Sequence, residues 1–132
     1  MYILDTTAII ALVSELTYNI DSIPYIPFPR RTYLTQQISD ELSSPGSLLS
    51  KLHSFTPYYV LLNSIKITEE IISKIAGPQE KLRYSQLKNS FIIIENYSTD
   101  ENFSIVTANK KLKKKFPNHV FIYHAPRSLL GL

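Results

Sequence analysis

Met1-Tyr2-Ile3-Leu4-Asp5-Thr6-Thr7-Ala8-Ile9-Ile10 decides how the rest of the chain is read. Met1 to Leu4 is a short apolar run. Asp5-Thr6-Thr7 then supplies capping side chains before Ile9, Leu12, Val13 and Leu16 recur at helical spacing. The order is strand, cap, helix. A carboxylate at that junction emerges at the carboxyl end of a strand, where open parallel α/β sheets place their sites.

Working outward, Pro24, Pro27 and Pro29 crowd residues 21–34 and predict an extended connector. That segment also carries Tyr25, Phe28, Arg30 and Arg31, which either stack on bases or pack on their own domain. Thr35 caps a predicted short helix through Ile38 and Leu42 that carries Asp40 and Glu41. Pro45-Gly46 ends it, and Leu48, Leu49, Leu52 and Phe55 begin another amphipathic stretch. Tyr58 to Leu62 reads as a second strand. Thr68 is expected to cap a helix through Ile75 with Gly77-Pro78 as its stop, and Ser85 a further helix bearing Leu87, Phe91, Ile94 and Tyr97. Ser104 to Thr107 and Val120 to Tyr123 read as two more strands, separated by Leu112 and Phe116 on a lysine-studded helix. Alternating strands and helices predict one α/β domain over residues 1–132. Its four- or five-stranded, mainly parallel sheet is covered on both faces, a three-layer α/β/α arrangement.

Composition excludes several classes. The 132 residues contain no cysteine, which removes disulfide frameworks, zinc fingers and thiol nucleophiles together. With glycine only at positions 46, 77 and 131, neither G-x-G-x-x-G nor a Walker loop can be written. The longest apolar run, Ala8 to Val13, is far short of the ~18–20 residues needed to cross a bilayer. No basic leader precedes Asp5, so a soluble cytoplasmic protein without a membrane partner is expected. Isoleucine-rich, lysine-rich usage suits a thermophilic source. Of the net +3, residues 1–66 carry −1 and residues 67–132 carry +4, so the second half is the one that could face a polyanion.

The opening motif resembles the first motif of PIN-domain nucleases, a strand ending in Asp followed by Thr or Ser. The resemblance continues through Thr35 to Leu42, the Thr68 helix, Tyr84-Ser85-Gln86-Leu87-Lys88 and Ile105-Val106-Thr107-Ala108-Asn109, in order and over most of the chain. The middle section looks most like the PIN proteins of ribosomal RNA maturation and is also compatible with toxin ribonucleases of toxin-antitoxin pairs. In that family three or four carboxylates at the carboxyl edge of the sheet hold Mg²⁺ or Mn²⁺, and metal-activated water cleaves RNA. The resemblance puts Asp5 in the first acidic slot and Glu41 in the second, as catalytic and metal-binding residues. The third slot holds Lys88 and the fourth Ala108-Asn109. Two of four carboxylates are therefore replaced.

Lys88 is expected to occupy the place of the lost metal and pair with Asp5 and Glu41. Glu95, and Asp100 or Glu101 in the next loop, are candidate substitute ligands, or else solvated charges. Thr7, Thr107 and Asn109 are expected at the pocket. Lys110, Lys111, Lys113, Lys114 and Lys115, with Arg30 and Arg31, are the candidate nucleic-acid contacts. His53, His119 and His124 show no metal-ligand spacing and read as ordinary histidines. The expected function is a PIN-like module with a degraded metal site that binds nucleic acid or a protein. The alternative is a divergent Mg²⁺- or Mn²⁺-dependent endoribonuclease using Asp5, Glu41 and a third ligand such as Glu95. Leu129, Leu130 and Leu132 either close the core or supply a homodimer interface.

Overall fold

The structure, a computed structural model, describes residues 1–96 and 103–132. Strand β1 (Tyr2–Leu4) is central in a five-stranded sheet with β2 (Tyr58–Leu61), β3 (Ile92–Ile94), β4 (Ser104–Thr107) and β5 (Val120–Tyr123). The order is β3-β2-β1-β4-β5 and every pairing is parallel, with Leu4 opposite Val60 on one side and Val106 on the other. Helices α1 (Thr6–Val13), α2 (Glu15–Tyr18), α3 (Arg30–Tyr33), α4 (Thr35–Ser43) and α5 (Ser47–His53) lie between β1 and β2. Between β2 and β3 come α6 (Leu62–Ile75) and α7 (Pro78–Lys88), and α8 (Leu112–Lys115) joins β4 to β5. No helix of the described residues is long and apolar enough to cross a membrane.

Successive residues of a strand point to opposite faces. Ile3 and Leu4 are both fully buried, as are Ile105 and Val106, so both faces of the two central strands are covered. One face meets α1 through Leu4, Val60, Val106, Ala8 and Leu12 in the main core. This is the α/β architecture that the strand and helix alternation implies.

Three local readings are corrected. The proline-rich segment is not extended, because Ile20–Tyr25 forms a 3₁₀ turn enclosing Pro24 and Pro29 precedes α3. Proline's fixed φ suits such a turn as well as it suits an extended chain. Thr68 does not start its helix. The buried stripe of α6 runs Ser64, Ile65, Thr68, Ile72, and its polar members disguise a helix that begins at Leu62. Ser85 lies inside α7, which Pro78 starts, and Ile92–Ile94 is a β-branched strand rather than a continuation of that helix. Tyr97, read as part of that helix, lies outside the described residues.

Residues 125–132 form no regular element but are tied down closely. Buried Glu80 accepts backbone N–H bonds from Gly77 at 3.0 Å, Gly131 at 2.9 Å, Glu15 at 2.8 Å and Leu130 at 2.9 Å. Arg30 donates to the carbonyls of Leu130 and Leu129, and Ser14 Oγ donates to the Ser128 carbonyl at 2.7 Å. Leu129 joins the main core, and Leu130 joins a second cluster with Leu16, Ile26 and Leu34. These two leucines close the core. Gly131 has a φ of 73°, which an L side chain rarely adopts.

Tyr58 is buried, with its hydroxyl donating to the Leu52 carbonyl at 3.0 Å. Burial, reinforced by the charge of Tyr18, pushes its pKa up from 10.0 to about 12. A raised folded-state pKa gives stability that is complete below the unfolded value and is lost as pH climbs through the folded one. Urea melts are therefore expected to show falling stability between pH 10 and 12, with a shallower fall in Tyr58→Phe. Equal slopes in both proteins would contradict this.

Candidate functional site at the carboxyl edge of the sheet

From β1 the sheet grows one way through β2 and β3 and the other way through β4 and β5. The crevice between β1 and β4 is the switch point, where connections leave in opposite directions and no helix blocks the strand ends. Asp5 follows β1 and Thr107 ends β4, so both stand at that crevice. Asp5 N donates to the Val106 carbonyl at 3.0 Å, extending the ladder to the edge.

Asp5, Thr7 and Thr107 are knotted together. Thr107 Oγ1 donates to Asp5 Oδ2 at 2.8 Å, and Thr7 Oγ1 stands 3.3 Å from the same oxygen and 3.1 Å from Thr107 Oγ1. The Ala108 N–H donates to Thr7 Oγ1 at 2.8 Å, and the Asn109 N–H to Thr107 Oγ1 at 2.9 Å. Asp5 is thus more than an N-cap: it makes no side-chain cap bond to α1, and its carboxylate faces β4 instead. Asn109 turns outward, with Oδ1 accepting from Lys111 N at 3.0 Å.

Beside this knot lies a cleft of about 490 Å³ whose walls include Asp5, Asn63, Glu95, Asn96, Lys115 and His119. Glu95 therefore shares the cleft with Asp5. Lys115 belongs to the exposed run with Lys110, Lys111, Lys113 and Lys114, which leaves β4 directly after Thr107 and Asn109. His119, set aside on spacing alone, is a wall residue. Its sequence carries no signal for this, because the placement comes from the turn between α8 and β5.

Two expected members are elsewhere. Glu41 is fully buried against Arg127, with Oε1 3.4 Å from Arg127 Nε and Oε2 accepting from Gly46 N at 3.2 Å. It is not among the cleft walls. Lys88 does not pair with Asp5 or Glu41. Its Nζ sits 2.7 Å from Glu69 Oε2, which also accepts from Tyr84 at 2.7 Å. The hydrogen bond from Lys88, followed by that from Tyr84, holds the Glu69 carboxyl below its ordinary pKa. Lys88 and Tyr84 of α7 thus both hold Glu69 of α6, tying the two helices together.

Arg30 and Arg31 are likewise engaged in the fold. Arg30 holds the Leu129 and Leu130 carbonyls, while Arg31 donates to the Pro24 carbonyl and lies over the Phe28 ring at 4.8 Å. Both guanidinium groups thus have partners within the domain. Asp100 and Glu101 lie outside the described residues. Among the described residues no group of three or more Asp, Glu or His side chains is placed closely enough to hold a metal ion. Hard divalent ions in a protein cage require such convergence, so these residues do not fit a three- or four-carboxylate centre. His124, also read as ordinary, is buried just after β5 with its backbone N–H donating to the Thr107 carbonyl at 3.1 Å.

The chain matches no family model, no curated protein and no solved structure.

Proposed function

We propose that the protein is a PIN-like module in which the metal site has been dismantled and the switch-point cleft binds single-stranded RNA without cutting it. The observation that carries this reading is the direct succession from Thr107, which holds Asp5, into the exposed lysines 110–115 beside the cleft. Lysines at a crevice supply the phosphate-neutralising charge that dominates nucleic-acid affinity. Sequestration of Glu41 by Arg127 supports the loss of the metal site, since a carboxylate closed into the core has its charge answered there. A second reading, a divergent Mg²⁺- or Mn²⁺-dependent endoribonuclease, is favoured by one observation, the presence of Glu95 and Asp5 in one cleft.

The test is titration of single-stranded RNA with and without Mn²⁺ or Mg²⁺, scoring binding and cleavage together, with Asp5→Asn alongside. Metal-insensitive, salt-weakened binding without cleavage is expected. Asp5→Asn is expected to bind at least as tightly, because it removes a negative charge next to the phosphates. Metal-dependent cleavage abolished by that substitution would establish the second reading. Neither binding nor cleavage would overturn both and direct attention to a protein partner.

Replacing Lys113, Lys114 and Lys115 together by alanine should weaken binding across sequences. Each phosphate contact on a single strand contributes about 0.7 to the log–log salt slope, so the triple variant is expected to lower it by about 2. An unchanged slope would remove these lysines from the interface.

A further inference from the structure

Resting on that reading, we propose that a second, smaller groove on the β5 side of the same edge binds a phosphate monoester, the terminal phosphate of the strand whose body lies in the cleft. The groove measures about 210 Å³ and its walls include Asp40, Ser44, Ser47, Lys51, Ala125 and Arg127. It is less than half the size of the cleft, with room for a phosphate.

Its donors come from three separate parts of the chain. Lys51 lies on α5 and its Nζ donates to the Tyr123 carbonyl at 3.0 Å, which fixes the ammonium at the end of β5. Arg127 comes from the segment after β5, with its side chain 3% exposed. Of its five N–H donors, Nε faces Glu41 and Nη1 donates to the Pro126 carbonyl at 2.8 Å. Ser44 and Ser47 flank Gly46, whose φ of 77° makes the turn that brings both serines to the groove. Asp40 is the one carboxylate on the wall, and its Oδ1 accepts from Gln36 Nε2 at 2.8 Å.

The groove and the cleft are joined by a bonded path along the sheet edge. Lys51 meets Tyr123, His124 N–H meets the Thr107 carbonyl, and Thr107 Oγ1 meets Asp5. His124 sits midway, buried, with no hydrogen-bond partner at Nε2. Burial first, and then the charges of Lys51 and Arg127, hold its pKa below the ordinary value, against the Ala125 carbonyl and Asp5. The fields of both groove cations therefore reach the centre of the edge.

One short single-stranded RNA should be prepared with a phosphate at its 5′ end, at its 3′ end, or at neither, and its affinity measured with wild type, Lys51→Ala, Lys51→Gln and the remote control Lys74→Ala. A terminal phosphate at one end is expected to tighten binding about tenfold through charge-assisted contacts. Both Lys51 variants should lose that gain and keep their affinity for the unphosphorylated strand. Lys51→Gln retains a donor for the Tyr123 carbonyl, so its loss reports charge rather than a broken tie. In parallel, inorganic phosphate should shift the His124 ring signals saturably by NMR in wild type and not in Lys51→Ala. Equal affinity for the three strands with a His124 shift would assign the groove to free phosphate and overturn the strand-end part. Equal affinity with no shift would overturn the proposal. A phosphate-dependent shift in a protein that binds none of the RNAs would leave the groove standing and remove the RNA reading.

Discussion

Glu80→Ala is expected to be the most destabilising single substitution in the molecule. Four backbone N–H groups, from Gly77, Gly131, Glu15 and Leu130, converge on one fully buried carboxylate. Among the described residues no side-chain cation pairs with it, and backbone N–H dipoles meet its charge. Each bond to a charged acceptor contributes about 1.5–3 kcal/mol, and donors left buried and unpaired cost a further 1–3 kcal/mol each. Even with relaxation and entry of water, a loss of about 4–6 kcal/mol is expected, a large share of the ~5–15 kcal/mol that holds a domain. Glu80→Gln should fall between, since an amide keeps one acceptor oxygen and turns an NH₂ toward two of the donors. Urea denaturation of both variants reads this directly. As a control, Glu70→Ala breaks only an exposed pair with Lys74 and should stay within about 0.5 kcal/mol of wild type. Near-normal stability in Glu80→Ala would mean that the 125–132 segment is held by other contacts.

Glu41→Ala is expected to lower stability by about 3 kcal/mol while leaving RNA affinity in place. The carboxylate is fully buried and the Arg127 side chain nearly so, and removing one member strands the other charge in the core. A metal-binding Glu41 would behave in the opposite way. Its loss would abolish metal-dependent activity and spare stability, because ligand carboxylates repel one another when no ion is bound. The double variant Glu41→Met with Arg127→Met should recover most of the lost stability, as apolar replacements of buried ion pairs commonly do. Loss of activity without loss of stability in the single variant would restore Glu41 to the site.

Much of the sheet was legible because its strands are short apolar runs followed by polar punctuation. Leu4-Asp5 and Val106-Thr107 mark strand ends by abrupt changes of chemistry, and the knot between them follows from placing β1 beside β4. Helix starts were less legible wherever a polar residue faces inward. Ser64 and Thr68 are buried on α6, where Thr68 Oγ1 approaches Thr6 Oγ1 at 3.4 Å, so the apolar stripe looks shorter than the helix. Lys88 was misplaced for a different reason. Its partner Glu69 lies 19 positions earlier, and nothing in linear spacing distinguishes that carboxylate from Asp5. Arg127 carried no signal, since its role depends on irregular backbone after β5, and Glu80 signalled only its local bond to Gly77 N at the start of α7. Lys51 and His124 became relevant only when β5 was seen to finish beside β4.

The order of the strands also sets a timetable. β1 precedes both of its neighbours along the chain, for β2 ends at Leu61 and β4 at Thr107. At about 5–20 residues per second, the central strand waits roughly 5–20 s for its second neighbour to be translated. Throughout that interval Ile3 and Leu4 of β1, both fully buried in the finished sheet, lack the cover that β4 provides. Until β4 is made, the strand that becomes central is an edge strand. A chain stopped short of Thr107 is therefore expected to pair with other chains along that open edge and to aggregate.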